Sequence, residues 1–300
     1  MTGDYLIRGV VKEPSLVALA ARTTCTVEEA RRRHSASPVA TAALGRLLTA
    51  SALLAATLKG EESVTLRVVG EGPLGGIIAE GRAGGAVRGY LENPAADIPP
   101  SGDKLQVGKA VGKGFLYVTR DMGLKEPYTG SAPLVNGEIA TDLSYYLAHS
   151  EQTPAAVALG VLVEPRESDA GNGYRVRAAG GLLVQALPGA PELDKLDLEK
   201  LSAHLAQMQT VSRLIEMRKA PEEIILEALE VLPGSPVWLS PPQPVAYRCR
   251  CSRVRLLEAL ITVDLGEVEE GETLEARCHF CGRVYRVQAG DLKKWVTQHA

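Results

Sequence analysis

Aromatic residues are scarce in this chain: they make up 4% of 300 residues, with two Phe and two Trp, which leaves few platforms on which nucleic-acid bases could stack. A charge excess is missing too, because the formal net charge is −3 and acidic and basic residues are interspersed along both halves. With no basic field, neither nucleic acid nor an anionic membrane surface is an expected partner. The start, Met1-Thr2-Gly3-Asp4-Tyr5, has neither a basic n-region nor an apolar h-region, so export is not expected and a cytoplasmic location is. The most apolar run, residues 38–59, is divided by Arg46 and falls short of the roughly 20 residues a membrane span needs, so it predicts a buried helix. Catalytic signatures are absent as well. There is no nucleophile elbow, P-loop or HExxH, and His34, His149, His204, His279 and His299 are scattered, so no enzymatic activity is expected.

What the chain does have is a cysteine pattern. Four of its five cysteines form two tight pairs near the C-terminus, Cys249-Arg250-Cys251 and Cys278-His279-Phe280-Cys281. Paired thiolates reach the corners of one tetrahedron with little backbone movement, which is how Zn²⁺ is held in four-cysteine structural sites. The same spacing also suits redox chemistry. Neighbouring thiols can close into a local disulfide, and an i,i+2 bridge carries strain that keeps it reducible. One constellation therefore supports two mutually exclusive states, and either points to a reducing compartment. A module of roughly 55 residues seldom folds on apolar burial alone, whereas a structural zinc contributes about 10–16 kcal/mol, so folding and zinc occupancy should be one event.

Around the pairs, His279 could ligate, but four thiolates already complete a site, so a surface or outer role is expected. Arg250, Arg253, Arg255, Arg277 and Arg283 could offset the charge of a zinc–thiolate centre and lower thiol pKa, or simply be solvated. Cys25 has no partner in sequence and is expected to pack as a small apolar side chain.

Along the chain, DYLIRGVVKE and SLVALAA read as extended segments, and Thr26 with Glu29 offers a capping box for a short helix. Ser37 and Pro38 then open the long apolar helix. SVTLRVVG, GGIIAEG, AVRGYLE and FLYVTR, separated by Gly and Pro, are the signature of an antiparallel sheet. EIATDLSYYLAHS predicts a helix, AAVALGVLVEP a strand, and after a turn at 169–173 the segment 179–185 is expected to rejoin the same sheet. Beyond Pro188-Gly189-Ala190-Pro191 the period becomes helical, with Leu193, Leu196, Leu201, Leu205, Met208 and Val211 on a stripe and a further helix at APEEIILEALE. These helices are too short to enclose a core, so their stripes must lie on a neighbouring domain. The organisation expected is α+β: an N-terminal α+β sheet domain over 1–188, a helical linker over 189–234 and a small C-terminal four-cysteine zinc domain over 235–300. Gly70-Glu71-Gly72-Pro73-Leu74-Gly75 matches G-x-G-x-x-G, but the β-branched Ile77 and Ile78 that follow cannot open the required helix, and a hairpin turn is the better account.

Tyr247-Arg248-Cys249-Arg250-Cys251-Ser252 with Cys278-His279-Phe280-Cys281, together with Ser150-Glu151-Gln152-Thr153-Pro154 and Ala179-Gly180-Gly181, resembles the 33 kDa heat-shock chaperonin family, the redox-regulated bacterial holdases. Ala21-Arg22-Thr23-Thr24, Arg31 to His34 and Gly72-Pro73-Leu74-Gly75 extend the resemblance over essentially the whole chain. The interval between the cysteine pairs is shorter than usual around Asp264 to Glu272. The resemblance implies that the reduced protein binds one zinc through Cys249, Cys251, Cys278 and Cys281 and is inactive. Oxidation would join Cys249 to Cys251 and Cys278 to Cys281, release the zinc, and unfold the C-terminal domain and linker. Residues 1–188 would then serve dimerisation and the binding of unfolding clients, and the active homodimer would hand clients to ATP-dependent chaperones. A zinc-ribbon adaptor for nucleic acid or protein would need a basic face that a net charge of −3 does not provide. A thiol oxidoreductase would carry its CxxC at a helix start after a strand, not between β segments near the C-terminus.

Overall fold

The computed structural model describes residues 3–12, 15–102, 104–166, 173–187, 195–232, 236–260 and 271–299. It divides into two units, Met1–Tyr247 and Arg248–Ala300.

The first unit begins with β1 (Tyr5–Val11) and β2 (Leu16–Arg22), paired antiparallel from Tyr5↔Arg22 to Val11↔Leu16. The near-continuous apolar run of β2 fits a strand buried on both faces, and it is. α1 (Thr24–His34) follows, and here the capping-box expectation fails. The helix starts two residues before Thr26, and the Thr26 amide donates to Asp4 Oδ2 at 2.7 Å, so a carboxylate distant in sequence takes the amide that a local cap would free. α2 (Pro38–Ala55) starts as expected, with Ser37 Oγ accepting from the Ala40 amide at 3.2 Å and Pro38 in the first turn. Its composition and length would allow a membrane span, yet 89% of it is buried inside the protein.

β3 (Ser63–Gly70), β4 (Gly76–Arg82) and β5 (Ala86–Leu91) come next, then the short α3 (Val107–Val111), β6 (Gly114–Asp121) and β7 (Tyr128–Pro133). These strands form one antiparallel sheet ordered β5-β4-β3-β6-β7. The glycine-rich segment at 70–75 is the β3–β4 turn, as expected. After α4 (Ala140–His149) and β8 (Ala155–Pro165), β9 (Tyr174–Ala186) does not rejoin that sheet. It pairs with β2 and β8, giving a second sheet ordered β1-β2-β9-β8. The reason is packing: α2 is apolar all round, so one sheet leaves it half uncovered, and the second sheet closes over it through β8 and β9. Gly181 permits the approach, since a Cβ there would lie 2.9 Å from Thr49 Cγ2 and 3.1 Å from Leu53 Cδ1 of α2.

The other face of the β1–β2–β9–β8 sheet is covered by α5 (Lys195–Gln207), α6 (Val211–Glu216) and α7 (Pro221–Leu229). Leu201, Leu214, Ile215, Ile224 and Ile225 pack there against Tyr5, Ile7, Leu16 and Leu182, so the helical stripes lie on the sheet as their shortness required. Leu226 is not on that stripe and is 49% exposed. Leu193 and most of the turn at 169–173 lie outside the described residues. Three short strands follow: β10 (Trp238–Leu239), β11 (Gln243–Pro244) and β12 (Ala246–Tyr247). These residues fall within the 235–300 span expected of the C-terminal domain, and they pair with β1 and β5 of the first unit.

The second unit contains α8 (Arg253–Leu260), the hairpin β13 (Thr273–Arg277) and β14 (Val284–Gln288), and α9 (Ala289–His299). Its apolar core, among the described residues, centres on Leu257, Val287 and Leu292.

The contact between β4 and α2 is testable at Gly81, where a Cβ would fall 2.2 Å from the Ser51 carbonyl oxygen. Gly81→Ala is expected to cost about 1–3 kcal/mol, read as a lower urea or thermal midpoint of the chain. An unchanged midpoint would contradict this packing.

Candidate metal centre

Two local structures present the cysteines of the second unit. Cys249 and Cys251 lie in the irregular stretch before α8, while Cys278 and Cys281 lie in the β13–β14 connection. That connection is closed by the Cys278 amide donating to Arg283 O at 2.9 Å and the Gly282 amide donating to Cys278 O at 2.8 Å. Gly282, at φ 69°, supplies the left-handed residue that the tight turn needs. A chain folded this tightly turns both of its sulfurs to one side.

All four sulfurs lie within 4.8 Å of one another. Cys249 Sγ is 3.7 Å from Cys278 Sγ, and Cys251 Sγ is 3.4 Å from Cys281 Sγ. For a tetrahedron with Zn–S bonds of about 2.3 Å the sulfur–sulfur edge is about 3.8 Å, so the donor set fits zinc in number, softness and spacing. Cys281 is buried and the other three are half-buried, as a closed structural site requires. Exposed His279 does not join the cluster.

The thiols are electrostatically unequal. Burial opposes ionisation of Cys251, but hydrogen bonds from Tyr285, then from the Cys281, Cys249 and Cys278 thiols, hold its pKa down at about 7. The Tyr285 hydroxyl donates to Cys251 Sγ at 3.1 Å. Burial, with neighbouring thiols acting the same way, pushes Cys281 up to about 12, and Cys249 is also raised, mainly by burial. One thiolate thus draws on the protons of its neighbours, an arrangement suited to receiving a cation. Of the five arginines near the pairs, Arg255 donates to Arg250 O and Arg277 to Gly282 O, both at 3.3 Å. Arg283 has a raised pKa caused first by Tyr285 and then by the charges of Cys251 and Cys281, so it faces the sulfur cluster electrostatically.

Tyr285 was not singled out by the sequence, because a tyrosine in a strand reads as packing. Its only cue is its place two residues after Arg283, where the hairpin sets it opposite Ala276, just beyond the turn that carries Cys278 and Cys281. Cys25 departs from expectation: it is exposed in the first unit, lining a cleft of about 330 Å³ with Asp4, Arg22, Arg177 and Arg218. The second position of α1 turns it outward, and small size alone does not fix which way a side chain faces.

A family model described as Hsp33 protein matches residues 4–288. A protein named 33 kDa chaperonin from Desulforamulus reducens is 48% identical over 297 residues, covering 97% of this chain and 96% of its own. Another of the same name from Symbiobacterium thermophilum is 49% identical over 289 residues, covering 94% of each. The crystal structure of a 33 kDa chaperonin from Thermotoga maritima matches with a TM-score of 0.84 at 31% identity, covering 98% of both chains.

In reduced protein stripped of metal under stabilising conditions in which circular dichroism shows the second unit still folded, Cys251 should be the first of the four thiols alkylated by iodoacetamide, with a rate midpoint near pH 7. Tyr285→Phe should move that midpoint upward by removing the donor that stabilises the thiolate. Mass-spectrometric mapping of alkylation against pH checks both, and an unmoved midpoint would exclude the role of Tyr285.

Proposed function

The chain belongs to the Hsp33 family, and we propose that it is an ATP-independent holdase chaperone whose client binding is switched by the redox state of Cys249, Cys251, Cys278 and Cys281. The observation that carries this reading is the convergence of four thiols within 4.8 Å in a unit whose described core centres on Leu257, Val287 and Leu292. Three buried apolar side chains contribute about 1.5–3 kcal/mol each, while ordering the backbone costs about 1–2 kcal/mol per residue. When bound, a single Zn²⁺ would supply the missing cross-link and neutralise the thiolates.

The switch acts on the ligands. Two thiols that close into a disulfide give up two protons and two electrons, which hydrogen peroxide takes up as it becomes two waters, and the sulfurs then no longer hold a metal as thiolates. Two close sulfur contacts join different pairs, Cys249 with Cys278 and Cys251 with Cys281. A bridge across the pairs would keep the unit stapled, so release demands the local bridges, Cys249 to Cys251 and Cys278 to Cys281. With those formed, residues from about 235 onward unfold, the helices between 195 and 229 loosen, and the 1–188 core persists. The apolar surface buried between these helices and the β1–β2–β9–β8 sheet, including Leu201, Ile224 and the facing Ile7 and Leu16, then becomes available to unfolding clients. The active form is a cytoplasmic homodimer that passes clients to ATP-dependent chaperones after reduction.

Elemental analysis of reduced protein should return one zinc per chain, and Cys249→Ser with Cys278→Ser should abolish it. Peroxide should release that zinc, create the two local disulfides in peptide maps, and turn on suppression of client aggregation. Cross-pair disulfides, or equal activity in reduced and oxidised protein, would overturn the redox reading.

A further inference from the structure

β1 would be the open edge of its sheet but for the strap that follows α7, residues 236–247. The strap meets β1 twice, at Gly9↔Leu239 and Val10↔Trp238, and again at Tyr5↔Pro244 and Leu6↔Gln243. The second register is offset from the first by one residue, so Ser240-Pro241-Pro242 forms a bulge, and its two prolines have no N–H to give. Ser240 makes the link across the bulge, its amide donating to Arg8 O at 2.8 Å and its hydroxyl accepting from the Arg8 amide at 3.2 Å. A seven-residue strand is therefore covered by two two-residue strands, and an uninterrupted strand would satisfy its edge more fully.

The edge also has a notch. A Cβ on Gly9 would lie 2.9 Å from Val237 Cγ1, 3.1 Å from Ile225 Cγ2 and 3.4 Å from Leu239 Cδ2, so Val237 and Leu239 fill the space that this glycine leaves. They are two residues apart on one extended segment, with Trp238 between them 63% exposed. The strap holds β1 as an extended apolar peptide would.

We propose that the β1 edge is a client-binding site which the strap occupies at rest: an extended apolar segment of an unfolding protein docks there as an added strand. Its backbone pairs with Leu6, Arg8 and Val10, and two aliphatic side chains two residues apart replace Val237 and Leu239. This rests on the redox reading above, because α7, whose Ile225 packs over the notch, is among the elements that loosen there. At rest the far end of the strap is anchored as well, with the Tyr247 hydroxyl donating to Gly89 O at 2.8 Å and the Ala246 amide to Gly85 O at 3.0 Å.

Strand addition has a signature that docking on a sheet face lacks. In an antiparallel ladder alternate residues bond to opposite neighbours, so Leu6, Arg8 and Val10 answer to the strap while Ile7 and Gly9 answer to β2. Amide exchange by NMR on the full chain, with reduced and carboxymethylated lactalbumin as the unfolded probe, reads the two sets separately. Oxidation should lower protection of Leu6, Arg8 and Val10 by about tenfold or more, and the probe should restore it, with Ile7 and Gly9 protected throughout. Probe binding that leaves the even-numbered amides unchanged would overturn the proposal. So would protection that returns without probe as protein concentration rises, which would assign the edge to a second copy. Arg8→Pro removes an edge donor but spares the ladder to β2, so it should weaken probe capture about fivefold even as it loosens the strap. A thermal midpoint of the reduced variant establishes that it folds, and unchanged or stronger capture would overturn the proposal. If the oxidised wild type captured no probe at all, the redox reading itself would fall, and the edge site with it.

Discussion

Helix α2 has no polar face. Of Pro38–Ala55 only Pro38 and Arg46 escape full burial, and such a helix must be enclosed on every side. Two sheets do this, and from that enclosure the rest of the first unit follows. Arg46 is accommodated by Glu138, 2.6 Å away. Burial works against ionisation of Glu138, but the Arg46 guanidinium outweighs it and holds the carboxyl below its ordinary range. The two sheets then differ on their outer faces. The β5-β4-β3-β6-β7 sheet turns residues such as Arg67, Arg88 and Tyr117 outward, with Arg67 over the Tyr117 ring at 4.6 Å. The β1-β2-β9-β8 sheet is apolar on both faces and needs α5, α6 and α7 as its second cover.

The second unit is built on the opposite principle. Its described core is small, and its described strands form a single two-stranded hairpin, which is marginal in water on its own. What brings its segments together is the sulfur cluster, which links the stretch before α8 to the β13–β14 turn. A unit organised around ligands responds to changes in ligand chemistry, while a unit organised around an enclosed helix does not. The chain thus joins a body built around an enclosed apolar helix to a module built around four converging thiols.

Local pattern was legible in the sequence, and partnership was not. The strand runs and the α2 start could be read because alternation, apolar runs and a Ser-Pro cap are local. That β9 belongs with β2 could not, since its sheet is chosen by the need to close over α2. The capping box at Thr26 and Glu29 failed for the same kind of reason: Asp4, on another element, competes for the Thr26 amide. The four cysteines could be named from spacing, because CxC and CxxC already set each pair on one side of its backbone. Tyr285 and the outward turn of Cys25 were invisible, because each depends on the direction a side chain takes from a strand or helix.

The last stretch of the first unit differs in kind from the sheets it covers. Among the described residues from 195 to 247, the helices cover one sheet face and the short strands β10, β11 and β12 line the β1 edge of one sheet and the β5 edge of the other. Covers of this kind are held by apolar contact and short ladders, so they open at lower free energy than the enclosed sheets beneath them. Their far end, Tyr247, is two residues from Cys249. What lies under that cover is apolar β-structure, the surface chemistry that an unfolding chain seeks.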